Sequence, residues 1–250
     1  MKNKFEFGEC RPDFRLGIQY EMREDIYQCI YPVRKNDIVL DIGASIGPFS
    51  WSVMDKASKI YAVEPLDELQ SRLKENTVDQ GYPVEIIQKV LWYDNIPVNF
   101  VDHCVIAAGE IEERECQGIT FNSLLKEHNI DKIDFLKCDC EGGEYFLFRD
   151  ENMDFLKNNV RDIVCEFHVG KQSEIIEFKY FLSKFLKQFP NFTIYSCDNV
   201  NIGWDLHNYE NNFSGKCMVS GEILKGEDFF DRYEAFMVHI SNKGEVGQNS

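Results

Sequence analysis

The sequence predicts an α/β fold in which a mostly parallel sheet forms the core. From Ile38 onward, short runs rich in β-branched residues alternate with stretches of helical periodicity. The runs are almost wholly apolar, which is typical of strands that helices cover on both faces. The chain has 250 residues, of which 44% are hydrophobic, and this is enough for one large core or two small ones. We therefore expect one α/β domain over residues 38–240, preceded by a helical lead-in over 1–37.

The lead-in and the first half of the domain contain the clearest alternation. Met22, Ile26 and Ile30 recur at helical spacing, which predicts an amphipathic helix over 21–31. The expected strands of this half are 38–43, 60–65 and 84–92, and the expected helices between them are 47–56 and 66–79. Residues 93–119 predict a hairpin and a polar loop.

The alternation returns in the second half. The expected strands are 134–140, 161–168, 191–197 and 234–240, and the expected helices are 121–128, 144–157 and 172–189. In the last helix, Ile175, Phe178 and Leu182 belong to one apolar stripe. Residues 198–232 are a polar and aromatic stretch without an assignment, and residues 241–250 are expected to form a flexible tail.

The charge and the cysteine pattern restrict the classes of function. The sequence has 43 Asp and Glu against 27 Lys and Arg, a net charge of −16, whereas nucleic-acid binding depends on basic side chains that release counterions. Nine scattered cysteines and a start without an apolar leader predict a cytoplasmic protein with reduced thiols. No apolar run approaches the roughly 18 residues of a membrane span. Neither nucleic acid nor a membrane is an expected partner.

A glycine-rich turn follows the first predicted strand. Gly43 and Gly47 let the backbone approach a ligand closely. Glu64 ends the second strand, 21 residues after Gly43, where a carboxylate accepts hydrogen bonds from ribose hydroxyls. Ser45 replaces the middle glycine of the nicotinamide fingerprint, and Asp41 precedes the turn. Because an acidic side chain suits an amino-acid ammonium better than a pyrophosphate, the turn favours S-adenosylmethionine over NAD.

Two other interpretations of this turn stay open. Residues 43–47 match G-x-S-x-G, the nucleophile elbow of α/β-hydrolases, with Ser45 as the nucleophile. Only 37 residues precede the first strand, whereas the elbow normally follows several strands, and this position argues against a hydrolase. The remaining alternative is a turn whose glycines serve packing only.

Four stretches resemble FkbM-type S-adenosylmethionine-dependent methyltransferases. They are VLDIGASIGPFS (39–50), IYAVEPLDELQSRLKEN (60–76), ITFNSLLKEHNIDKIDFLKCDCEGGE (119–144) and IVCEFH (163–168). The resemblance implies a Rossmann-like class I methyltransferase fold, with a seven-stranded mostly parallel sheet, a reversed last strand and helices on both faces. It also implies methyl transfer to a hydroxyl of a sugar, glycan or natural-product acceptor. The family usually has Asn at the position of Ser45 and an aspartate at that of Asn122.

The candidate cofactor-binding and catalytic residues are those at the strand ends, because ligands bind there in open α/β sheets. The expected cofactor-binding residues are Asp41, Gly43, Ala44, Ser45, Gly47, Glu64, Pro65 and Asp139. Asp139 and Glu141 end the fourth strand, and Glu166 and His168 end the fifth, so that these four groups converge on one edge. His168 is the preferred base because an ordinary histidine pKa near 6.5 suits proton removal at neutral pH, and Glu141 is the second candidate. Asp139 is expected to hold the cofactor's ammonium or the acceptor.

Other polar residues receive weaker assignments. Glu144 is interpreted as an acid favoured by a helix start, and Cys138 and Cys140 as buried packing. A divalent metal held by carboxylates at the strand ends is conceivable, and no residue is assigned to it. The segment 198–232, with Trp204, His207 and Tyr209, is a candidate acceptor-binding insertion or a surface loop. A non-catalytic cofactor-binding domain is the alternative to an enzyme.

Overall fold

The structure is a computed structural model. It describes residues 4–8, 12–101, 113–196, 204–207, 214–217, 223–225 and 235–243. The chain is divided into two compact units, Met1–Lys137 and Cys138–Ser250, and each is described by itself.

Among the described residues, the first unit contains four α-helices and the strands up to β7. The helices are α1 (Pro12–Glu24), α2 (Pro48–Val53), α3 (Asp67–Asn76) and α4 (Phe121–Glu127). The strands are β1 (Ile38–Ile42), β2 (Lys59–Val63), β3 (Val84–Ile87), β4 (Val90–Leu91), β5 (Pro97–Val101), β6 (Glu113–Ile119) and β7 (Ile133–Cys138), whose last residue belongs to the second unit. A 3₁₀ turn at Val78–Gln80 follows α3.

In the part of the second unit that the structure describes, there are two α-helices and the remaining strands. The helices are α5 (Asp150–Asn158) and α6 (Gln172–Tyr180), with a short 3₁₀ helix at Glu144–Phe146 before α5. A π-helical stretch, Phe181–Phe185, and a 3₁₀ turn, Leu186–Gln188, extend α6. The strands are β8 (Val160–His168), β9 (Asn191–Ser196), β10 (Trp204–His207), β11 (Ser214–Cys217), β12 (Ile223–Lys225) and β13 (Ala235–Ser241).

The main sheet has seven strands in the order β3-β2-β1-β7-β8-β13-β9. The strand β2 pairs in parallel with β1 and with β3, whereas β13 runs antiparallel to both β8 and β9. This order confirms the expected seven-stranded, mostly parallel sheet with a reversed last strand. Two smaller sheets have the orders β4-β6-β5 and β10-β11-β12.

The first expected helix is wrong in position. The structure has α1 at Pro12–Glu24, not at 21–31. The first N–H groups of a helix have no partner within the helix. Proline, which lacks an N–H, therefore loses no hydrogen bond there and is favoured at the start of a helix. The helix ends before Asp25, whose φ of 51° is left-handed, and the Gln28 N–H closes a turn on the Asp25 carbonyl at 2.9 Å.

Three further boundaries differ from expectation. The expected strand 84–92 is divided into β3 and β4 by a tight turn, in which the Lys89 N–H donates to the Ile87 carbonyl at 3.0 Å. The expected strand 134–140 ends at Cys138. The chain then turns, since Glu141 and Gly142 have φ values of 54° and 101°, which are incompatible with extended backbone. The expected helix 144–157 begins as the 3₁₀ helix and continues only from α5 onward.

Aromatic packing forms the core of the second unit. The Phe167 ring stacks on the Phe181 ring at a centroid distance of 4.3 Å. The rings of Phe178 and Phe236 are nearly parallel, with centroids 5.2 Å apart. All four side chains are almost fully buried, so the predicted apolar stripe of the 172–189 helix does face a core.

Some expected features lie mostly outside the described residues. The segment 198–232 contributes β10, β11 and β12, which pair antiparallel with one another, while Tyr209 and most of the tail 241–250 lie outside the described part. Within the described part of the chain, no helix is both long enough and apolar enough to cross a membrane.

Candidate active site

The loop between β1 and α2 turns through two glycines with left-handed backbone angles. The φ values are 76° at Gly43 and 87° at Gly47, and a Cβ atom on Gly47 would lie 2.6 Å from Cδ1 of Leu73. The left-handed backbone at Gly47 therefore favours glycine, and an added Cβ would also have to displace the buried Leu73 side chain. The N–H groups of Gly43 and Ala44 both donate to the carbonyl of Val63 at 3.0 Å. These bonds fix the loop to the end of β2.

Glu64, directly after β2, holds the same loop through its buried carboxylate. Oε2 accepts a hydrogen bond from the Ser45 N–H at 2.9 Å, and Oε1 accepts one from the Leu66 N–H at 3.0 Å. Ser45 has a φ of 51°, which is uncommon for a residue with a side chain. Since each carboxylate oxygen can accept a second hydrogen bond, Glu64 can hold the loop and also bind a ligand. Pro65, the next residue, is half-buried.

The Ser45 hydroxyl is buried and has no hydrogen-bond partner among the described residues. A buried hydroxyl without a partner costs free energy, and such a group needs an explanation such as an absent ligand or water. Together with the Glu64 carboxylate, it fits a nucleotide-type cofactor that carries hydroxyl or amino groups. The same observation weakens the hydrolase interpretation, because a serine nucleophile needs a base within hydrogen-bond reach.

Asp41 faces the protein interior, where it pairs with a lysine that the sequence analysis did not assign. Asp41 is fully buried, its Oδ2 accepts a hydrogen bond from the Ser50 hydroxyl at 2.6 Å, and its Oδ1 lies 3.5 Å from Nζ of Lys137. Nζ also donates to the Gly43 carbonyl at 2.8 Å and lies 5.1 Å from the centre of the Tyr27 ring. Asp41 and Lys137 thus connect β1, β7 and the glycine loop.

The second unit contains a cluster of three carboxylates around His168, the last residue of β8. Glu144 is the most buried of the three, with no exposed surface. Its Oε1 accepts a hydrogen bond from the His168 backbone N–H at 2.7 Å and lies 2.9 Å from His168 Nδ1. Its Oε2 accepts the Gly142 N–H at 2.8 Å. Glu144 therefore fixes both the imidazole ring and the loop that precedes the 3₁₀ helix, a role that the interpretation as a helix-start acid missed.

The other ring nitrogen of His168 faces the two predicted acids. Nε2 lies 3.4 Å from Oε2 of Glu141 and 4.0 Å from Oδ1 of Asp139. The side chain of Glu141 is 46% exposed, that of His168 21% and that of Asp139 20%. The predicted convergence of Asp139, Glu141 and His168 is therefore observed, although the two acids reach it from a loop after β7 and not from the strand itself. Glu166 is half-buried on β8.

The ordinary pKa expected for His168 is wrong. Burial acts to lower the pKa of this imidazole, but the hydrogen bond that it donates to Glu144 and the charges of Glu144, Asp139 and Glu141 outweigh burial and raise the pKa to about 11. At neutral pH the ring is an imidazolium, which donates hydrogen bonds from both nitrogens and cannot accept a proton. His168 is therefore charged in the free protein.

The cysteines near this cluster are protonated thiols. Cys138 and Cys140 have their sulfur atoms 3.6 Å apart. Burial raises the pKa of Cys138 well above its ordinary value, and the hydrogen bond with Cys138, followed by burial, raises the pKa of Cys140. Both thiols are poor nucleophiles in this state. Across the residues that the structure describes, no group of three or more His, Cys, Asp or Glu side chains is arranged to hold a metal ion.

Two residues of the site were missed by the sequence analysis, Lys137 and Glu144. Both belong to the stretch KCDCEGGE that carries the resemblance, and this stretch is the signal that could have identified them. Their neighbours in the chain received roles because acids at strand ends are easy to recognise, whereas buried ion pairs depend on contacts between distant segments. The remaining candidates in 198–232 are Trp204, His207 and Tyr209, and their side chains lie outside what the structure describes.

Comparison with known proteins gives a family and several solved structures of low similarity. Residues 41–192 match the family model described as the methyltransferase FkbM domain, and the comparison with curated proteins gave no match. The chain is similar to SMU.1697c from Streptococcus mutans, solved in complex with SAH, with 11% identity, 92% of this chain and 97% of that chain covered, and a TM-score of 0.45. It is also similar to precorrin 8w decarboxylase from Methanobacterium thermoautotrophicum, with 12% identity, 88% of each chain covered and a TM-score of 0.46. An rRNA methylase from Streptococcus thermophilus has 9% identity, 92% of this chain and 96% of that chain covered, and a TM-score of 0.46.

Proposed function

The chain belongs to the FkbM methyltransferase family, whose model matches residues 41–192, and on this premise we propose that it is an O-methyltransferase. The proposed reaction transfers a methyl group from S-adenosylmethionine to a hydroxyl of a sugar, glycan or natural-product acceptor. The cluster of three carboxylates around His168 is the observation that supports a hydroxyl group as the acceptor. A hydroxyl loses a proton when it is methylated, and this cluster can receive and hold that proton.

The glycine loop of the first unit is the proposed cofactor site. When bound, S-adenosylmethionine supplies an electrophilic methyl group. The Glu64 carboxylate and the buried Ser45 hydroxyl offer hydrogen bonds to the cofactor, and the left-handed turns at Gly43 and Gly47, with Ala44 between them, shape the loop that would hold it. Asp41 is better suited to holding the loop, since its oxygens already contact Ser50 and Lys137. We assign Asp41 and Lys137 as positioning residues of this site.

The acid cluster of the second unit is the proposed acceptor-activating group. Glu141 is its most exposed carboxylate, and we propose that it accepts the hydroxyl proton. His168, held in place by Glu144, donates from Nε2 toward Glu141 and Asp139 and orients both acids. Positioning of the acceptor oxygen and removal of its proton are the two tasks that an in-line methyl transfer leaves to the protein. Asp139 is proposed to bind the acceptor or the cofactor's ammonium.

Charge supports a small neutral or weakly charged acceptor over nucleic acid. The net charge of −16 opposes a polyphosphate partner, because such partners bind through clustered basic residues. The exclusion of nucleic acid and of a membrane, like the cytoplasmic location, stays a prediction. We also propose that 1–37 is a helical lead-in, that 198–232 is an acceptor-binding insertion and that 241–250 is a flexible tail.

Calorimetric titration with S-adenosylmethionine, and separately with NAD, tests the proposed cofactor. We expect binding of S-adenosylmethionine and none of NAD, and binding of NAD alone would reassign the protein to the oxidoreductases. Methyl transfer from labelled S-adenosylmethionine to a panel of hydroxylated sugars and natural products then tests the reaction. Labelling of Ser45 by a fluorophosphonate, without cofactor binding, would favour a hydrolase. Cofactor binding without turnover on any acceptor would favour a non-catalytic binding domain.

A further inference from the structure

A cavity of about 540 Å³ lies at the N-terminal part of the first unit, outside the residues assigned above. Three segments line it: residues 4–8, one face of α1 and the side chain of Trp51 on α2. Its size falls within the roughly 300–1,000 Å³ that is typical of sites for small molecules.

Aromatic side chains form the apolar part of the cavity. The Phe5 ring lies edge to face with both Phe7 and Trp51, with centroid distances of 5.0 and 5.6 Å. Phe5 is buried, whereas Phe7 and Trp51 are only partly buried and present surface to the cavity. Met22 of α1 adds a flexible apolar contact. Such walls favour a flat, ring-shaped ligand.

The polar part of the cavity is basic in an otherwise acidic protein. Lys4 and Arg23 line it together with Gln19. Gln19 and Arg23 are four positions apart on α1, so they lie on the same face of the helix. No Asp or Glu is among the described residues that line the cavity, although the chain as a whole carries a net charge of −16. The local charge therefore complements an acidic group.

The wall formed by residues 4–8 is held in place by the buried side chain of Asn76. Its Oδ1 accepts the Glu6 N–H at 2.9 Å, and its Nδ2 donates to the Glu6 carbonyl at 3.0 Å and to the Ile46 carbonyl at 2.9 Å. Ile46 belongs to the glycine loop, and Trp51 donates its backbone N–H to Gly47 of that loop at 2.8 Å. These bonds fix the segment 4–8 within the same unit as the proposed cofactor loop.

We propose that this cavity is a second binding site, separate from the acid cluster, and that its ligand is a ring-shaped molecule with an acidic group. The ring lies against Phe7 and Trp51, and the acid faces Lys4 and Arg23. The aromatic walls and the two cations select this chemistry, whereas the acid cluster of the second unit is the proposed place of the acceptor hydroxyl.

The test compares two matched probes, 2-naphthoate and its uncharged analogue 2-naphthamide, by titration calorimetry on the full chain. We expect 2-naphthoate to bind about fivefold more tightly, since a surface ion pair contributes up to ~1 kcal/mol. Lys4→Gln with Arg23→Gln should remove this preference, and Trp51→Ala should weaken both probes about tenfold. As a matched control, Lys35→Gln with Lys56→Gln removes two exposed charges elsewhere and should retain the preference. Glucuronate and glucose, used as a second pair, distinguish a sugar acid from an aromatic acid.

Three results would overturn the proposal: no binding of any of the four probes, equal binding within both pairs, or a preference that survives the substitution of Lys4 and Arg23. Titration of the same variants with S-adenosylmethionine separates this proposal from the proposed function. An unchanged cofactor affinity supports a separate binding site, whereas a parallel loss would assign the cavity to the cofactor and contradict the inference. If the wild-type protein binds 2-naphthoate as expected but not S-adenosylmethionine, the proposed function fails and the cavity remains a site for ring-shaped acids.

Discussion

Oε1 of Glu144 contacts His168 at two points, at 2.7 Å from the backbone nitrogen and at 2.9 Å from Nδ1 of the ring. This double contact fixes the orientation of the imidazole and directs Nε2 toward Glu141 and Asp139. It also explains why His168 is charged, because a fully buried carboxylate next to Nδ1 stabilises the imidazolium.

The first prediction concerns the charge of His168. Its pKa of about 11 means that the imidazole resonances should not titrate near pH 6.5 in nuclear magnetic resonance spectra of the wild-type protein. Glu144→Gln removes the nearest negative charge and should lower the pKa of His168 by about one unit or more. Glu127→Gln, at an exposed position on α4, is the matched control and should leave it unchanged. A wild-type titration near 6.5 would contradict the prediction.

The second prediction concerns turnover. Glu141→Ala should lower kcat about 100-fold, the usual loss when a general base is removed. His168→Ala should lower kcat to a similar extent, because Glu141 and Asp139 lose the group that orients them. Initial rates with a competent acceptor measure both effects, and Glu151→Ala, an exposed acid on α5, serves as the control. If both variants stay within about threefold of the wild type, the assignment of this cluster is wrong.

The sequence predicted the sheet well because its strands are short apolar runs rich in β-branched residues, and length and composition distinguish such runs from helices. The same approach failed at 21–31, where Met22, Ile26 and Ile30 have helical spacing but the backbone turns at Asp25. A single left-handed residue ends the helix, and no periodicity reports it.

For the site, the sequence indicated which residues gather but not their electrostatics. Asp139, Glu141 and His168 were predicted because they follow strands. The charge on His168 was not, since it depends on Glu144, which reaches the ring from a 3₁₀ helix. The pairing of Asp41 with Lys137 joins residues 96 positions apart in the chain, and such long-range contacts leave no local pattern.

The third prediction tests the buried pair of Asp41 and Lys137. Both side chains are almost fully buried, so Lys137→Met should leave an uncompensated charge on Asp41 and lower the free energy of unfolding by about 3–5 kcal/mol. Adding Asp41→Asn should recover part of this loss. Lys132→Met is the matched control, since Lys132 pairs with Asp134 at 2.7 Å but is 63% exposed, and it should cost about 1 kcal/mol or less. Equal costs in urea unfolding would contradict the assignment.

The fourth prediction tests the glycine loop. Gly47→Ala adds a Cβ atom 2.6 Å from Leu73 at a position with a φ of 87°, so it should be destabilising by about 2–4 kcal/mol and should weaken S-adenosylmethionine binding. Gly81→Ala has a similar φ of 82° and no atom within 4 Å, and it separates the cost of the backbone from the cost of the contact. We expect Gly81→Ala to cost only about 1 kcal/mol and to leave cofactor affinity unchanged. Equal effects of the two variants on unfolding and binding would contradict this account.

The last prediction concerns His239 on β13, whose side chain is almost fully buried. Burial lowers the pKa of this imidazole to about 3, against 6.5 for an ordinary histidine. Between pH 6.5 and 3, the unfolded chain therefore binds a proton that the folded chain does not, and the free energy of unfolding falls as the pH falls. The contribution should be roughly 1 kcal/mol per pH unit in the lower part of this window.

Urea unfolding of the wild type and of His239→Gln at pH 7.5 and 5.0 measures this difference, because His239→Gln removes the titrating group. His168 acts differently: with its raised pKa, its contribution is complete below pH 6.5 and is lost as the pH rises toward 11. The two histidines are therefore separable by pH. An identical pH dependence in both proteins, or an imidazole signal of His239 that titrates near pH 6.5 in the folded state, would show that burial does not keep this histidine neutral.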